Sequence, residues 1–329
     1  MKAVGYSKSL PVTDPKVLVD FTADKPVPGP RDLVVSVKAV SVNPVDVKVR
    51  ASREPKDGPE VIGYDAAGVV VAVGAEVAAY KVGDEVWYAG SIARRGTDAA
   101  LHLVDEHVVG RKPQTLDWAD AAAMPLTTIT AWETLFDKLR LTAESTGTLL
   151  VMAAAGGVGS MMVQLARQLT NVTVIGTASR PESAEWARSL GAHEIANHHD
   201  LVASVLAVAP HGVDWVFTPY SKGNVEAFAE ILKPRGEVVA IDEPPGLDLT
   251  PLKSKSITWH WELMFTRPLY EPHDVYQREL LDEVARLVDA GIIRTTRTQT
   301  LGPLSAETLR AAHRQVESSG TIGKVVLTL

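Results

Sequence analysis

The segment VMAAAGGVGSMMVQLAR, Val151 to Arg167, passes from an apolar run through a glycine-bearing turn into a helical pattern. Glycines at such a turn let the backbone approach a pyrophosphate closely, and the N–H groups and dipole at the helix start supply positive potential there. The spacing is Ala153-x-x-Gly156-x-x-Gly159, with Gly157 and Val158 inside it, so the chemistry implied is dinucleotide binding. Taken in isolation, the same pattern also reads as a tight turn between two packed elements. One strand further on, an acid would ordinarily accept hydrogen bonds from the adenosine ribose, whereas a 2′-phosphate needs donors and positive charge. The chain instead has Thr177, Ala178, Ser179 and Arg180, in IGTASRPES. Arg180 can fork onto a phosphate and Ser179 can donate to it, against the alternative of a solvated loop arginine. The expected cofactor is NADPH.

The inventory of residues narrows the remaining chemistry. With no cysteine among 329 residues, disulfides, thiolate zinc sites and a cysteine nucleophile are all ruled out. A net charge of −7, without a long run of either sign, offers no basic footprint for nucleic acid and no polybasic face for an anionic membrane. A small molecule is the expected partner. The opening residues, MKAVGYSKSL, lack the apolar run of a signal peptide, and no stretch approaches the roughly 18 apolar residues of a membrane span. The expected location is the cytoplasm.

The elements that must position the turn are legible in coarse form. Residues 1–120 carry short valine-rich alternations such as DLVVSVKAVSV and AAGVVVAVGAEV, broken by proline and glycine turns, which predicts short antiparallel strands. From Asp117 the texture becomes helical, interrupted at Pro125. Between there and residue 258, apolar runs alternate with helical segments, which predicts right-handed crossovers and a parallel sheet covered on both faces. The last segment, 259–329, holds two helical patterns and ends in a strand, GKVVLTL.

Several ordered landmarks carry a resemblance that runs over nearly the whole chain: SVNPVDVKVR (41–50), IGYDAAGVVVAVG (62–74), KVGDEVW (81–87), AAAMPLTTITAWETL (121–135), AAAGGVG (153–159), LKPRGEVV (232–239) and GKVVL (323–327). The chain resembles a medium-chain dehydrogenase/reductase. Within that superfamily it is similar to the zinc-free quinone oxidoreductases, and most of all to the subgroup called zinc-type alcohol dehydrogenase-like, whose YAG, ASRPES and WELMFTR segments it shares in form. The resemblance implies an α/β architecture: a GroES-like, mainly antiparallel β catalytic domain over 1–120, a Rossmann doubly wound NADPH-binding domain over 121–258, and a return of 259–329 to the catalytic domain. It also implies a homodimer.

The departures from the family matter as much. Zinc alcohol dehydrogenases hold their catalytic metal with a cysteine, a histidine and a second cysteine or an acid, and this chain has Asn43 and Tyr64 at the positions matching the first two. Neither is a competent zinc ligand. Asp65 remains, but the four-cysteine lobe has no counterpart in the short YAGSIARRGTDAALHLV. The expected enzyme holds no metal and passes hydride from NADPH to an acceptor already electron-poor, a quinone or an α,β-unsaturated carbonyl. A 2-enoyl thioester reductase and a non-enzymatic NADPH-binding protein are the competing readings.

By resemblance Asn43 faces the nicotinamide ribose and the substrate, or, read from the residues alone, caps the Pro44 turn as an Asx-turn residue. Tyr64 inherits the lost histidine's place, so its phenol is the candidate donor to a carbonyl oxygen, against a packed core tyrosine. Asp46 follows Asn43 toward the pocket, and Lys48 reads as a surface ion-pair residue. Trp87 and Tyr88 offer an aromatic wall for a flat quinone or else belong to the core. His260, between two tryptophans, lines the pocket or packs. The resemblance also places Thr130 near the nicotinamide, Gly156, Gly157 and Val158 at the pyrophosphate, Ser179, Arg180 and His198 at the 2′-phosphate and adenine, and Lys324 near the cofactor.

Overall fold

The computed structural model describes Met1 to Leu329, and the chain divides into two compact units, Met1–Ile129 with Phe265–Leu329, and Thr130–Met264. No helix is long and apolar enough to cross a membrane. The first unit opens with β1 (Lys2–Gly5) and β2 (Val19–Thr22), an antiparallel pair, followed by β3 (Asp32–Ser41), α1 (Pro44–Ser52), β4 (Ala66–Val73), β5 (Glu85–Tyr88), β6 (Leu101–Asp105) and β7 (Val109–Arg111). Two short helices, α2 (Trp118–Ala122) and α3 (Pro125–Trp132), come next, and the boundary between units falls inside α3. In β3 the valines alternate with residues that are also covered, because the strand sits between β4 on one edge and β6 on the other. A strand flanked on both edges and packed on both faces favours such β-branched side chains.

The second unit is a six-stranded parallel sheet. Its strands are β8 (Thr148–Val151), β9 (Thr173–Thr177), β10 (Glu194–Ala196), β11 (Val213–Thr218), β12 (Leu232–Ala240) and β13 (Thr258–Trp261), in the spatial order β10-β9-β8-β11-β12-β13. Helices α4 (Gly157–Leu169), α5 (Pro181–Ser189), α6 (Leu201–Val208) and α7 (Val225–Ile231) provide the crossovers. Leu150, Ile175, Val216 and Val238 from the strands pack with Val205, Phe228 and Ile231 from the helices in one core. The order reverses at β8 and β11, so the crevice at their carboxyl ends is a topological switch point, where ligands of such sheets bind.

Beyond residue 264 the chain rejoins the first unit as α8 (Thr266–Tyr270), α9 (Tyr276–Asp289), β14 (Arg297–Pro303), α10 (Ala306–Glu317) and β15 (Lys324–Thr328). In α9, Leu280, Leu281, Val284, Leu287 and Val288 are buried at helical spacing. Strand β15 pairs antiparallel with the end of β3, with Val326 opposite Ser41. That pairing brings the last residues of the chain to the place where β3 turns into α1.

The boundaries differ from those read in the sequence at 120 and 258. The N–H of Leu126 donates to Asp65, which keeps the start of α3 with the first unit, and β13 pairs in register with β12, which keeps it in the parallel sheet.

Candidate active site

In the first unit the end of β3, the approach to β4 and the start of β15 converge on one buried carboxylate. Asp65 is fully buried; its Oδ2 accepts from the Ser41 hydroxyl at 2.7 Å, the Asn43 side-chain amide at 2.8 Å and the Lys324 ammonium at 3.2 Å. Its Oδ1 accepts from the N–H of Leu126 at 2.8 Å. Burial pushes the Asp65 carboxyl upward, and the ammonium and these hydrogen bonds oppose that push. Lys324, itself buried, also donates to Asn43 Oδ1 and to the carbonyl of Val42, so three acceptors meet its three N–H bonds. Lys324, which the sequence reading placed near the cofactor, thus ties Asn43 and Asp65 to one ammonium.

Asn43 is buried and stands at the N-cap of α1, with Pro44 at the first helical position. Its backbone N–H donates to Asp46 Oδ2 at 2.7 Å, so Asp46 turns back to cap the helix instead of facing an open pocket. The other oxygen of Asp46 is buried without a partner. Burial raises this carboxyl to about 8, with the Asn43 N–H and the Lys324 ammonium acting the other way. Asp98 is buried too, and burial together with the Asp46 charge raises it. It lies against Gly63, whose φ of +101° and whose closeness to the Asp98 carboxyl, 2.7 Å from where a Cβ would stand, both demand glycine.

The Tyr64 ring is 2% exposed and packs edge-on against Phe265, with centroids 5.3 Å apart. Burial, then the Asp46 charge, raises its phenol, which therefore keeps its proton. Its hydroxyl has no protein partner, yet it is not among the sealed polar atoms. Tyr80 and Tyr88 differ, since the first donates to Val109 O and the second is 3.1 Å from His102 Nδ1. Trp87 and Tyr88 are wholly buried, so they form core and not an exposed aromatic wall. His102, whose Nε2 meets the carbonyl of Arg95 at 2.9 Å, is lowered to about 4 by burial and stays neutral beside Tyr88. Nothing local in the sequence marked that pair.

In the second unit the glycine turn follows β8. The helix N-cap is Gly156, and no side chain caps the first N–H groups of α4, those of Gly157, Val158 and Gly159. A Cβ on Gly159 would lie 2.3 Å from the carbonyl oxygen of Ala153, so only glycine lets helix and turn pack this closely. Ala153 itself has φ +52°, and its N–H donates to Thr177 Oγ1 at 2.9 Å, which ties the turn to the end of β9. Ser179 and Arg180 are exposed just beyond, with Arg180 at the N-cap of α5 and 3.2 Å from Ser183 Oγ. His198, in the turn after β10, is exposed and lies against His199 with centroids 4.2 Å apart. Burial and the neighbouring imidazole lower its pKa. Thr130 is buried on α3. His260 sits on β13 of the second unit, paired at 2.8 Å with Glu237 of β12.

These residues fit a nicotinamide dinucleotide, because uncapped N–H groups, a turn with no room for a Cβ and a β9 terminus without an acid lie together at the carboxyl end of the sheet. They do not fit zinc. The oxygens of Asn43 and Asp65 are turned onto an ammonium, the Tyr64 phenol holds its proton, and no three His, Cys, Asp or Glu side chains gather as metal ligands.

Known proteins bear on both halves. Residues 29–112 match the alcohol dehydrogenase GroES-like domain, and residues 190–327 match the family described as zinc-binding dehydrogenase. A zinc-type alcohol dehydrogenase-like protein of Staphylococcus aureus is 38% identical over 339 aligned positions, covering 100% of both chains. A quinone oxidoreductase of Pseudomonas aeruginosa is 33% identical over 309, covering 91% of this chain and 92% of its own. The crystal structure of a Rhizobium etli protein assigned to the zinc-dependent alcohol dehydrogenases superposes with a TM-score of 0.96 at 50% identity, over 100% of this chain and 98% of that one.

Proposed function

The chain belongs to the medium-chain dehydrogenase/reductase superfamily, in its quinone oxidoreductase-like branch, and from that premise we propose that it is an NADPH-dependent, zinc-independent reductase of quinones or α,β-unsaturated carbonyls. The observation that carries this reading is the Lys324 lock on Asn43 and Asp65. With those oxygens committed to an ammonium, an alcohol has no metal to polarise it, and the fitting acceptor is one whose product anion is already delocalised.

NADPH supplies the hydride when bound. The uncapped N–H groups of Gly157, Val158 and Gly159 hold its pyrophosphate, and Ser179 and Arg180 take the 2′-phosphate. The Asp65–Lys324 pair fixes the Asn43 amide, which orients the reacting ring. Tyr64, with a protonated phenol and no protein partner for its hydroxyl, donates a hydrogen bond to the acceptor oxygen as negative charge gathers there.

The test is consumption of NADPH and NADH with 1,4-benzoquinone, 9,10-phenanthrenequinone and crotonyl-CoA, alongside metal analysis of the purified protein. Expected are quinone-dependent oxidation of NADPH over NADH and less than stoichiometric zinc. Arg180→Ala should weaken NADPH binding by about 1.5–3 kcal/mol and leave NADH nearly unchanged. Turnover with crotonyl-CoA alone would move the assignment to thioester reduction, and activity that tracks one bound zinc per chain would overturn it.

A further inference from the structure

The hydride step uses neither of two buried acids of the first unit, Asp46 of α1 and Asp98 of the loop before β6. Both are built into the mount of Tyr64. The N–H of Asp98 donates to the carbonyl of Ile62 at 3.0 Å and that of Thr97 to the carbonyl of Gly63 at 2.9 Å, so this loop lies along the backbone that leads into Tyr64. Asp46 accepts from the N–H of Tyr64 as well as from that of Asn43.

Neither acid has the partners that an anion needs. Asp46 Oδ1 and Asp98 Oδ2 are both sealed from solvent without a hydrogen bond. Lys324 acts on Asp46, but its three N–H bonds already go to Asp65, Asn43 and the carbonyl of Val42. Asp65 pushes the Asp46 carboxyl the other way, and the one charge that acts on Asp98 is that of Asp46. A buried carboxyl without a donor or cation to itself keeps its proton. The region thus holds one ion pair, Lys324 with Asp65, and two uncharged acids.

An ionised Asp46 is felt at the phenol. Its charge raises the Tyr64 hydroxyl, which means that it opposes negative charge on that oxygen. What opposes a phenolate there also opposes an oxyanion hydrogen-bonded to the same phenol. Glu60 and Tyr6 act on Tyr64 in the same sense and Arg53 against them, but Arg53 and Glu60 pair with each other at 3.1 Å, which leaves Asp46 as the charge that decides. We propose that Asp46, kept uncharged by burial, is a positioning residue for the reduction read above, on which this role rests: with its proton in place Tyr64 supports the acceptor's negative charge, and its ionisation withdraws that support. The reduction then carries an alkaline limb, complete below the Asp46 ionisation and lost above it.

Two readouts on the full-length protein separate this from a merely structural role. With 9,10-phenanthrenequinone and NADPH, wild-type kcat/KM should fall about ten-fold between about pH 7 and pH 9, as the protonated fraction of a group near 8 falls. Asp46→Asn should raise the ratio of the alkaline to the neutral value about ten-fold over wild type, and Asp98→Asn should leave the midpoint of the fall in place. Infrared difference spectra over the same range, which report protonated carboxyls without need of turnover, should show one carboxyl losing its proton in wild type and in Asp98→Asn but not in Asp46→Asn. A flat wild-type profile overturns the role without any variant. A limb that survives Asp46→Asn, or that moves with Asp98→Asn instead, overturns it as well. An Asp46-dependent proton in the infrared, in a protein that oxidises NADPH with no quinone or enone, would overturn the reductase reading instead.

Discussion

The glycine turn presents uncapped N–H groups from adjacent residues, Gly157, Val158 and Gly159, all of them backbone. The buried cluster takes Ser41 and Asn43 from around the end of β3, Asp65 from the approach to β4, Leu126 from α3 and Lys324 from β15, and there side chains supply nearly every contact. A backbone site is indifferent to many side-chain changes but cannot admit an added atom where chain meets chain. A side-chain site is the reverse: its partners can be exchanged as a set, while removal of one leaves the rest buried and uncompensated. The two units thus ask different things of mutation.

The sharpest way to break the cluster is Lys324→Met, which strands Asp65 and Asn43 Oδ1 in the interior. A loss of about 3–5 kcal/mol is expected in denaturant unfolding, the range for removing one partner of a buried ion pair. The double variant Lys324→Met/Asp65→Asn should recover part of it, because the uncompensated charge is gone. A double variant no better than the single one would show that packing, not charge, holds this region.

The matching test of the turn is Gly159→Ala. The new Cβ would meet the Ala153 carbonyl oxygen at 2.3 Å and the Ala154 Cα at 2.8 Å, both backbone atoms that cannot swing aside. We expect a cost of about 1–3 kcal/mol and a loss of NADPH affinity that exceeds the loss of stability, since the turn itself must shift. An unchanged dissociation constant would remove the turn from the cofactor site.

Tyr64→Phe sharpens the contrast at the level of a single hydroxyl. For a quinone, whose anion is delocalised, kcat/KM should fall about ten-fold, near the low end of what one donor to a developing oxyanion contributes. Because the hydroxyl has no protein partner to lose, the melting temperature should barely move. Wild-type kinetics would take Tyr64 out of the chemistry.

The remaining prediction is a dependence on pH and concerns Asp46. Its folded-state pKa of about 8 lies above the ordinary 3.8, so between those values the folded protein holds a proton that the unfolded chain has released. The stability this contributes is complete below pH 4 and is lost as pH rises toward 8. Asp46→Asn stays neutral throughout and keeps an oxygen for the Asn43 N–H, so its melting temperature relative to wild type should climb across that window. A constant offset would mean that Asp46 does not hold the proton.

Much of this was legible in the sequence, and the part that was not has a physical cause. The alternation of apolar runs with helical segments specified a parallel sheet, and the Gly156–Gly159 turn could be read directly, because a turn is a local object whose dihedral and packing demands fall on neighbouring residues. The strand alternation of the first 120 residues and the absence of cysteine bounded the other unit in the same way. What Lys324 does could not be read so. Its partner Asp65 is 259 residues away, and only the pairing of β15 with the end of β3 brings the ammonium to the carboxylate. Nor does sequence say which of several aromatic residues is core: Trp87 and Tyr88 look like a binding wall in one dimension and are sealed in three, whereas Tyr220, unremarked in its loop, is held out to solvent. Local geometry follows from neighbouring residues, but burial and charge pairing depend on which distant strands meet, and that is settled only when the sheets close.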